Sequence, residues 1–180
     1  MDLPNSSNTR LHLRSTPPPH PMHVVLVEPE IPSNTGNIAR LCAATTSILH
    51  LVGKLGFRID DKHVRRAGVD YWHLVQIQYH NHFQAFYQTF KETSPHSQFH
   101  LFSTASAKSY LQIVYKPGDA LIFGRESVGL PVELLHQFHN QTVAIPTLGP
   151  VRSLNLANAV GIALFESLRQ IGALDTTFLT

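Results

Sequence analysis

Two loops in the C-terminal third concentrate the side chains best suited to chemistry. Residues 124–131 carry Arg125 and Glu126, and residues 151–159 carry Arg152, Ser153, Asn155 and Asn158. Each loop follows an apolar run, Ala120-Leu121-Ile122-Phe123 in one case and a run ending at Ile145-Pro146 in the other. Each then opens a helix. In α/β proteins ligands bind in loops at the carboxyl ends of strands, so this arrangement predicts a ligand site. The familiar nucleotide signatures, Gly-x-Gly-x-x-Gly and Gly-x-x-x-x-Gly-Lys-Ser/Thr, are absent from the sequence. Ser153 does not lie in Gly-x-Ser-x-Gly, so a serine hydrolase fits no better.

Metal chemistry finds less support. The chain has 12 histidines, with His80 and His82 two apart and His136 and His139 able to share a helix face. Neither pair has a carboxylate or cysteine to complete a coordination shell, so no metal is expected. Cys42 is the single cysteine, which excludes an internal disulfide, and its apolar helical context predicts a small buried side chain.

An alternation of strands and helices must position the two loops. His23–Val27 reads as a buried strand, followed by a loop broken by Pro29, Pro32 and Gly36. Residues 37–44 read as a helix with Ile38, Leu41 and Cys42 on its buried face, and Asn37 and Arg40 on another. Ile48–Val52 is a further strand, then Gly53 and Gly56 mark a loop and 62–67 a short basic helix. Strands are expected at 74–77, Phe99–Phe102, Ala120–Phe123 and 142–145, and a helix at 82–91 with Phe83, Phe86, Tyr87 and Phe90 along a core-facing stripe. The fold class is therefore α/β, a mostly parallel sheet flanked by helices. A last helix at 154–171 is apolar nearly all round, and the sheet can cover only one side of it. A second subunit is expected to cover the other, giving a homodimer through the C-terminal helix, with Ala157 and Gly161 allowing close approach.

Composition limits the remaining classes. At 180 residues, with 43% hydrophobic and 14% charged, the chain suits one globular domain spanning 22–180. No apolar run approaches the roughly 20 residues needed to cross a bilayer, so no membrane partner is expected. Residues 1–21, crowded with Pro4, Pro17, Pro18, Pro19 and Pro21, read as a flexible extension, and Met22 is an alternative start. The extension lacks the apolar centre of a secretory signal, and its prolines argue against a helical transit peptide despite Arg10 and Arg14, so a cytoplasmic protein is expected. The net charge of +2 settles nothing, but Lys54, Arg58, Lys62, Arg65 and Arg66 cluster beside Asp60 and Asp61. The cluster is either a solvated helix face or a phosphate-contacting patch.

Four stretches, in order, resemble a known family. They are Glu28-Pro29-Glu30-Ile31-Pro32-Ser33-Asn34-Thr35-Gly36-Asn37-Ile38-Ala39-Arg40-Leu41-Cys42, Arg65-Arg66-Ala67-Gly68-Val69-Asp70-Tyr71, Phe123-Gly124-Arg125-Glu126-Ser127-Val128-Gly129-Leu130-Pro131, and Arg152-Ser153-Leu154-Asn155-Leu156-Ala157-Asn158-Ala159-Val160. Together they resemble the SPOUT superfamily of RNA methyltransferases, most nearly the tRNA (cytidine/uridine-34)-2′-O-methyltransferases, over residues 22–172. The resemblance implies a C-terminal deep trefoil knot, which general topology rules would have voted against. It implies S-adenosyl-L-methionine as methyl donor and the tRNA anticodon stem-loop as partner.

By motif position the resemblance assigns cofactor contacts to Phe102, Ser103, Gly124, Gly129, Ile145, Leu148, Ser153 and Leu154. Apolar walls for adenine, backbone approach at Gly124 and a helix cap at Ser153 suit that ligand. Arg40 is the implied catalytic arginine. Arginine is a poor general base because its guanidinium stays protonated, so the expected role is orienting the substrate and stabilising a developing alkoxide. Glu126 is expected to hold Arg40 or the substrate, Asn155 to orient a loop or the ribose, and Arg65, Arg66 and Arg152 to contact RNA. Methylation of another tRNA or ribosomal RNA ribose is the alternative, and so is a non-catalytic RNA-binding protein on the same fold.

Overall fold

The structure is a computed structural model that describes residues 11–58 and 72–180. Its elements are β1 (Leu13–Ser15), β2 (His23–Val27), α1 (Pro32–Thr45), β3 (Ile48–Val52), β4 (Ile77–His80), α2 (Phe83–Thr93), β5 (Phe99–Phe102), β6 (Ala120–Phe123), α3 (Val132–Gln137), β7 (Thr142–Val143), α4 (Leu156–Gln170) and β8 (Thr177–Leu179). Six strands form one sheet in the order β4-β3-β2-β6-β5-β7, and every neighbouring pair is parallel. The mostly parallel α/β sheet expected from the alternation is present.

Parallel strands covered on both faces are near-continuous apolar runs. β2, β3, β5 and β6 are buried at every position. On one face Val24, Leu26, Leu49, Leu51 and Leu121 join Ile38 and Cys42 of α1 and Val160, Ala163 and Leu164 of α4. On the other, Val25, Val52, Leu101 and Ile122 pack with Phe86 and Phe90 of α2. The aromatic stripe of α2 is core, as its spacing predicted. Cys42 is buried, which pushes its thiol pKa up to about 12.

Three histidines share the α2 face of neighbouring strands. His23 Nδ1 lies 2.8 Å from His50 Nε2, and His50 Nδ1 lies 3.0 Å from His80 Nε2. Phe86 and Phe90 pack edge-on against this row. Burial lowers all three pKa values, that of His23 to about 4 and that of His50 to about 2. His82 instead caps α2, its Nδ1 accepting from Ala85 N at 3.2 Å.

Several expected boundaries move. α1 begins at Pro32 rather than residue 37, with the proline at its first turn and Gly36 buried inside the helix. Proline is well suited there because its missing N–H has no partner in the first turn. Thr46 ends α1 at φ 53°, a left-handed position where glycine is more usual. The strand expected at 74–77 lies at Ile77–His80, after a 3-10 turn at Trp72–Leu74. The strand expected at 142–145 is two residues long. Part of the segment expected to be a flexible extension is paired: Leu13–Ser15 runs antiparallel to Thr177–Leu179, and Ser15 Oγ donates to the carbonyls of Ala173 and Thr176. The basic helix expected at 62–67 lies outside the described residues.

α4 is not covered on all sides by its own chain. Asn158, Ile162, Phe165 and Arg169 form an exposed stripe, with Ile162 40% and Phe165 47% exposed. A Cβ on Gly161 would meet Leu41 Cδ2 of α1 at 3.9 Å, an ordinary contact, so packing within the chain does not demand a glycine there. Among the described residues no helix is long and apolar enough to cross a membrane.

Candidate functional site

The parallel order sets the carboxyl ends of β2, β6, β5 and β7 side by side. The loops that leave them meet in one open cleft of ≈ 960 Å³. Its lining comes from 102–109 after β5, 123–130 around the end of β6, 144–147 after β7, and 152–156 leading into α4, with Ile31 and Asn34 of the α1 entrance. Phe102 and Phe123 stack at its base, ring centroids 4.6 Å apart.

The loop after β6 is tied to the start of α1 by a carboxylate. Glu126 Oε2 accepts from Glu30 N at 2.8 Å, and Glu126 Oε1 accepts from Ile31 N at 3.2 Å and from Asn34 Nδ2 at 2.9 Å. Anionic groups are favoured at a helix N-terminus, where backbone N–H groups lack partners. Glu30 returns the contact, its Oε2 accepting from Ser127 N at 3.0 Å. Arg125 pairs with Glu28.

Asn34 links this loop to α4. Its Oδ1 accepts from Asn155 Nδ2 at 3.0 Å, and Asn155 Oδ1 accepts from Ala157 N at 2.9 Å and Asn158 N at 3.3 Å. Asn155, not Ser153, therefore caps the final helix, and α4 starts at Leu156 rather than 154. An asparagine side chain is a strong N-cap because its oxygen reaches the free N–H groups of the first turn. Glu126, Asn34 and Asn155 thus join three loops that are far apart in sequence.

Most of the expected site residues are brought together. Phe102, Ser103, Gly124, Gly129, Ile145, Ser153 and Leu154 all line the cleft, as do Glu126, Asn155 and Arg152. Leu148 does not: it is fully exposed and outside the lining, so it forms no apolar wall in this chain. Gly124 acts differently from expectation. A Cβ there would fall 2.1 Å from the carbonyl carbon of Gly129 and 2.2 Å from Leu130 N. The loop's own closure, between Arg125 and Gly129, requires the glycine. Arg40 lies on the exposed face of α1 and does not line the cleft of its own chain. Asn34 enters the cleft from α1, and six helical residues later the chain has turned well away from it. Arg65 and Arg66 lie outside the described residues.

The cleft suits a ligand with a flat apolar part and polar edges. Phe102, Phe123, Leu130, Ile145 and Leu156 provide apolar wall, and Ser103, Ser109, Ser153 and Asn155 provide hydrogen-bonding groups around it. Among the described residues, no group of three histidine, cysteine, aspartate or glutamate side chains is placed to hold a metal ion.

The model of the SpoU rRNA Methylase family matches residues 21–165. The chain belongs to this family. A tRNA (cytidine(34)-2′-O)-methyltransferase of Burkholderia cenocepacia is 44% identical over 151 residues, covering 83% of this chain and 96% of that protein. A solved structure concerned with the 2-OH methylation of C/U34 on tRNA is 44% identical, with a TM-score of 0.79 over 85% of this chain and 97% of that one. An AdoMet-bound rRNA methyltransferase from Sinorhizobium meliloti is 28% identical, with a TM-score of 0.72 over 87% of this chain and 61% of that one. The SpoU match thus covers the cleft loops, while β1 and β8 lie beyond it. Asn34 is the site residue that sequence reading did not single out. It stood inside the first motif, but nothing in its spacing announced partners 92 and 121 residues away.

Proposed function

We propose that this chain transfers a methyl group from S-adenosyl-L-methionine to the ribose 2′-oxygen of the wobble nucleotide, cytidine or uridine 34, in tRNA. The supporting observation is that three motif loops, held together by Glu126, Asn34 and Asn155, converge on one cleft. The relatives named for this reaction are 44% identical to this chain over nearly their full length. The trefoil knot of such enzymes, a homodimer and action in the cytoplasm are part of the same reading.

When bound, S-adenosyl-L-methionine supplies an electrophilic methyl on a sulfonium centre. Phe102, Ile145 and Leu154, which line the cleft, would wall its apolar part, and Ser103 and Ser153 would hold its polar groups. Glu126 keeps the 124–129 loop closed against α1, and Asn155 fixes the entrance of α4. These ties hold the cleft in one shape before the substrate arrives, which lowers the cost of aligning the reacting atoms. The ribose hydroxyl would pass its proton to solvent water as its oxygen takes the methyl carbon, and the sulfur–methyl bond would break to leave S-adenosyl-L-homocysteine. A cation beside that oxygen stabilises the developing charge.

Arg40 is assigned that task in the cleft of the second subunit. It is on the exposed side of α1, and α1 packs on α4, whose stripe of Ile162 and Phe165 is left open. A homodimer joined along that stripe carries Arg40 across the interface. Arg152, at the cleft, and Arg65 and Arg66 are assigned to the anticodon stem-loop.

Incubation with labelled S-adenosyl-L-methionine and tRNA lacking ribose methylation, followed by nucleotide mapping, tests the proposal. Label confined to the wobble 2′-oxygen is expected. Label on another ribose would discard the target and keep the reaction class, and absence of both label and cofactor binding would discard the enzyme.

A further inference from the structure

Three cations from three separate loops stand at the cleft: Lys108, Arg125 and Arg152, all exposed and all part of its lining. The acid among those lining groups is Glu126, and its oxygens are already taken by backbone and asparagine N–H groups. Lys108 and Arg152 make no ion pair among the described residues. Arg125 does make one, with Glu28, and the fold is arranged to present that glutamate. Glu28 adopts φ 52°, an uncommon backbone conformation for a side chain of its size, held by a 2.8 Å hydrogen bond from its N–H to the Val52 carbonyl. Gly53 gives it room: a Cβ on Gly53 would fall 2.7 Å from Glu28 Cγ.

The pair is partly solvated, Arg125 being 41% and Glu28 31% exposed. Ion pairs of that kind are weak, while a guanidinium binds a phosphate through two parallel hydrogen bonds. We propose that Lys108 and Arg125 grip backbone phosphates of the RNA substrate beside the reacting nucleotide, and that Arg125 leaves Glu28 for a phosphate when RNA binds. Glu28 is thus a parking partner that keeps Arg125 at the cleft mouth in the free enzyme. The exchange rests on the RNA-methyltransferase reading above and adds two contacts to it. Because Arg125 is in the loop that Glu126 and Glu30 hold against α1, the swap takes place beside the closed cofactor cleft without opening it.

Affinity for an unmethylated tRNA, measured for Lys108→Ala, Arg125→Ala and Glu28→Gln across a salt series, tests the exchange. Binding of S-adenosylhomocysteine by each variant serves as the measure of an intact cleft. The two cation variants should bind tRNA roughly 5-fold more weakly, the size of an exposed charge contact. Each should also flatten the log–log salt dependence by about 0.7, the loss of one phosphate contact to a single strand. Glu28→Gln should move the other way and bind tRNA more tightly, because RNA no longer displaces a carboxylate. If Glu28→Gln and Arg125→Ala both weaken tRNA and S-adenosylhomocysteine alike, the pair is a structural tie and the proposal is overturned. Unchanged tRNA affinity in the cation variants also overturns it. Wild-type protein that neither binds nor labels tRNA would overturn the functional reading itself, and the exchange with it.

Discussion

Asn34 and Asn155, 121 residues apart in the chain, are joined by a 3.0 Å hydrogen bond from Asn155 Nδ2 to Asn34 Oδ1. The other end of Asn34 donates to Glu126, so one buried amide serves two loops at once. Asn34→Leu would leave a carboxylate oxygen and an amide with a partner missing. Such a loss costs about 1–3 kcal/mol in unfolding free energy and should weaken cofactor binding as well. Thermal denaturation together with calorimetric titration of S-adenosylhomocysteine checks this; a wild-type melt with wild-type affinity would show that the link carries nothing.

Arg40 offers a test that depends on subunit geometry. Arg40→Ala alone and Glu126→Gln alone should each reduce turnover sharply, the first with cofactor binding intact. If Arg40 acts in its partner's cleft, mixing the two inactive variants in equal amounts forms heterodimers with one complete site. Random exchange then restores about a quarter of wild-type activity, as the two-fold symmetry dictates. No recovery after verified subunit exchange would place Arg40 outside the partner's chemistry.

The exposed stripe on α4 makes a separate prediction. A charge at Ile162 or Phe165, as in Ile162→Glu or Phe165→Glu, replaces apolar surface that a second copy would bury. Light scattering at micromolar concentration should show a dimer for the wild type and a monomer for the variants, with methyl transfer lost in parallel. A wild-type monomer that is fully active would contradict the shared-site mechanism.

Acid should weaken the fold through the histidine row. His23 and His50 have folded-state pKa values of about 4 and about 2, lowered from 6.5 mainly by burial. The unfolded chain therefore takes up protons first as pH falls. The histidine contribution is fully present above pH 6.5 and declines from there, through pH 4 for His23 and lower still for His50. Each group adds a slope of up to about 1.4 kcal/mol per pH unit. Urea midpoints from pH 7 down to 4.5 should fall steadily, and less steeply in a His50→Gln variant that still folds.

The sheet was legible where physics leaves few choices. β2, β3, β5 and β6 are short, wholly buried parallel strands, so each is a mostly apolar run, interrupted by His23, His50 and His100, and each lies where the sequence places it. β4 was not, because it is an edge strand of half-buried residues with Gln78 and His80 alternating in it, while the more apolar Leu74 and Val75 belong to the turn before it. Pro32 was read as a loop breaker although it starts a helix, since proline serves both ends of that choice.

The site was legible as a set of loops and not as a geometry. Motif position placed Glu126, Asn155 and the glycine loop at one cleft. It gave no means to see that Gly124 answers a backbone contact with Gly129, that Asn34 bridges the loops, or that Leu148 points to solvent. Those facts depend on chain crossings between residues far apart, which local periodicity does not encode. Arg40 is the sharpest case: its helical face was read correctly as separate from the buried face, and that same fact removes it from its own cleft.

The most direct test of the central claim uses two anticodon stem-loops that differ by one atom. One carries the natural ribose at the wobble position and the other a 2′-deoxyribose there, each offered with labelled S-adenosyl-L-methionine. The account predicts label on the first, released as a 2′-O-methylated wobble nucleotide, and none on the second. Equal labelling of both would mean that the methyl goes to some other atom, and would contradict the assignment.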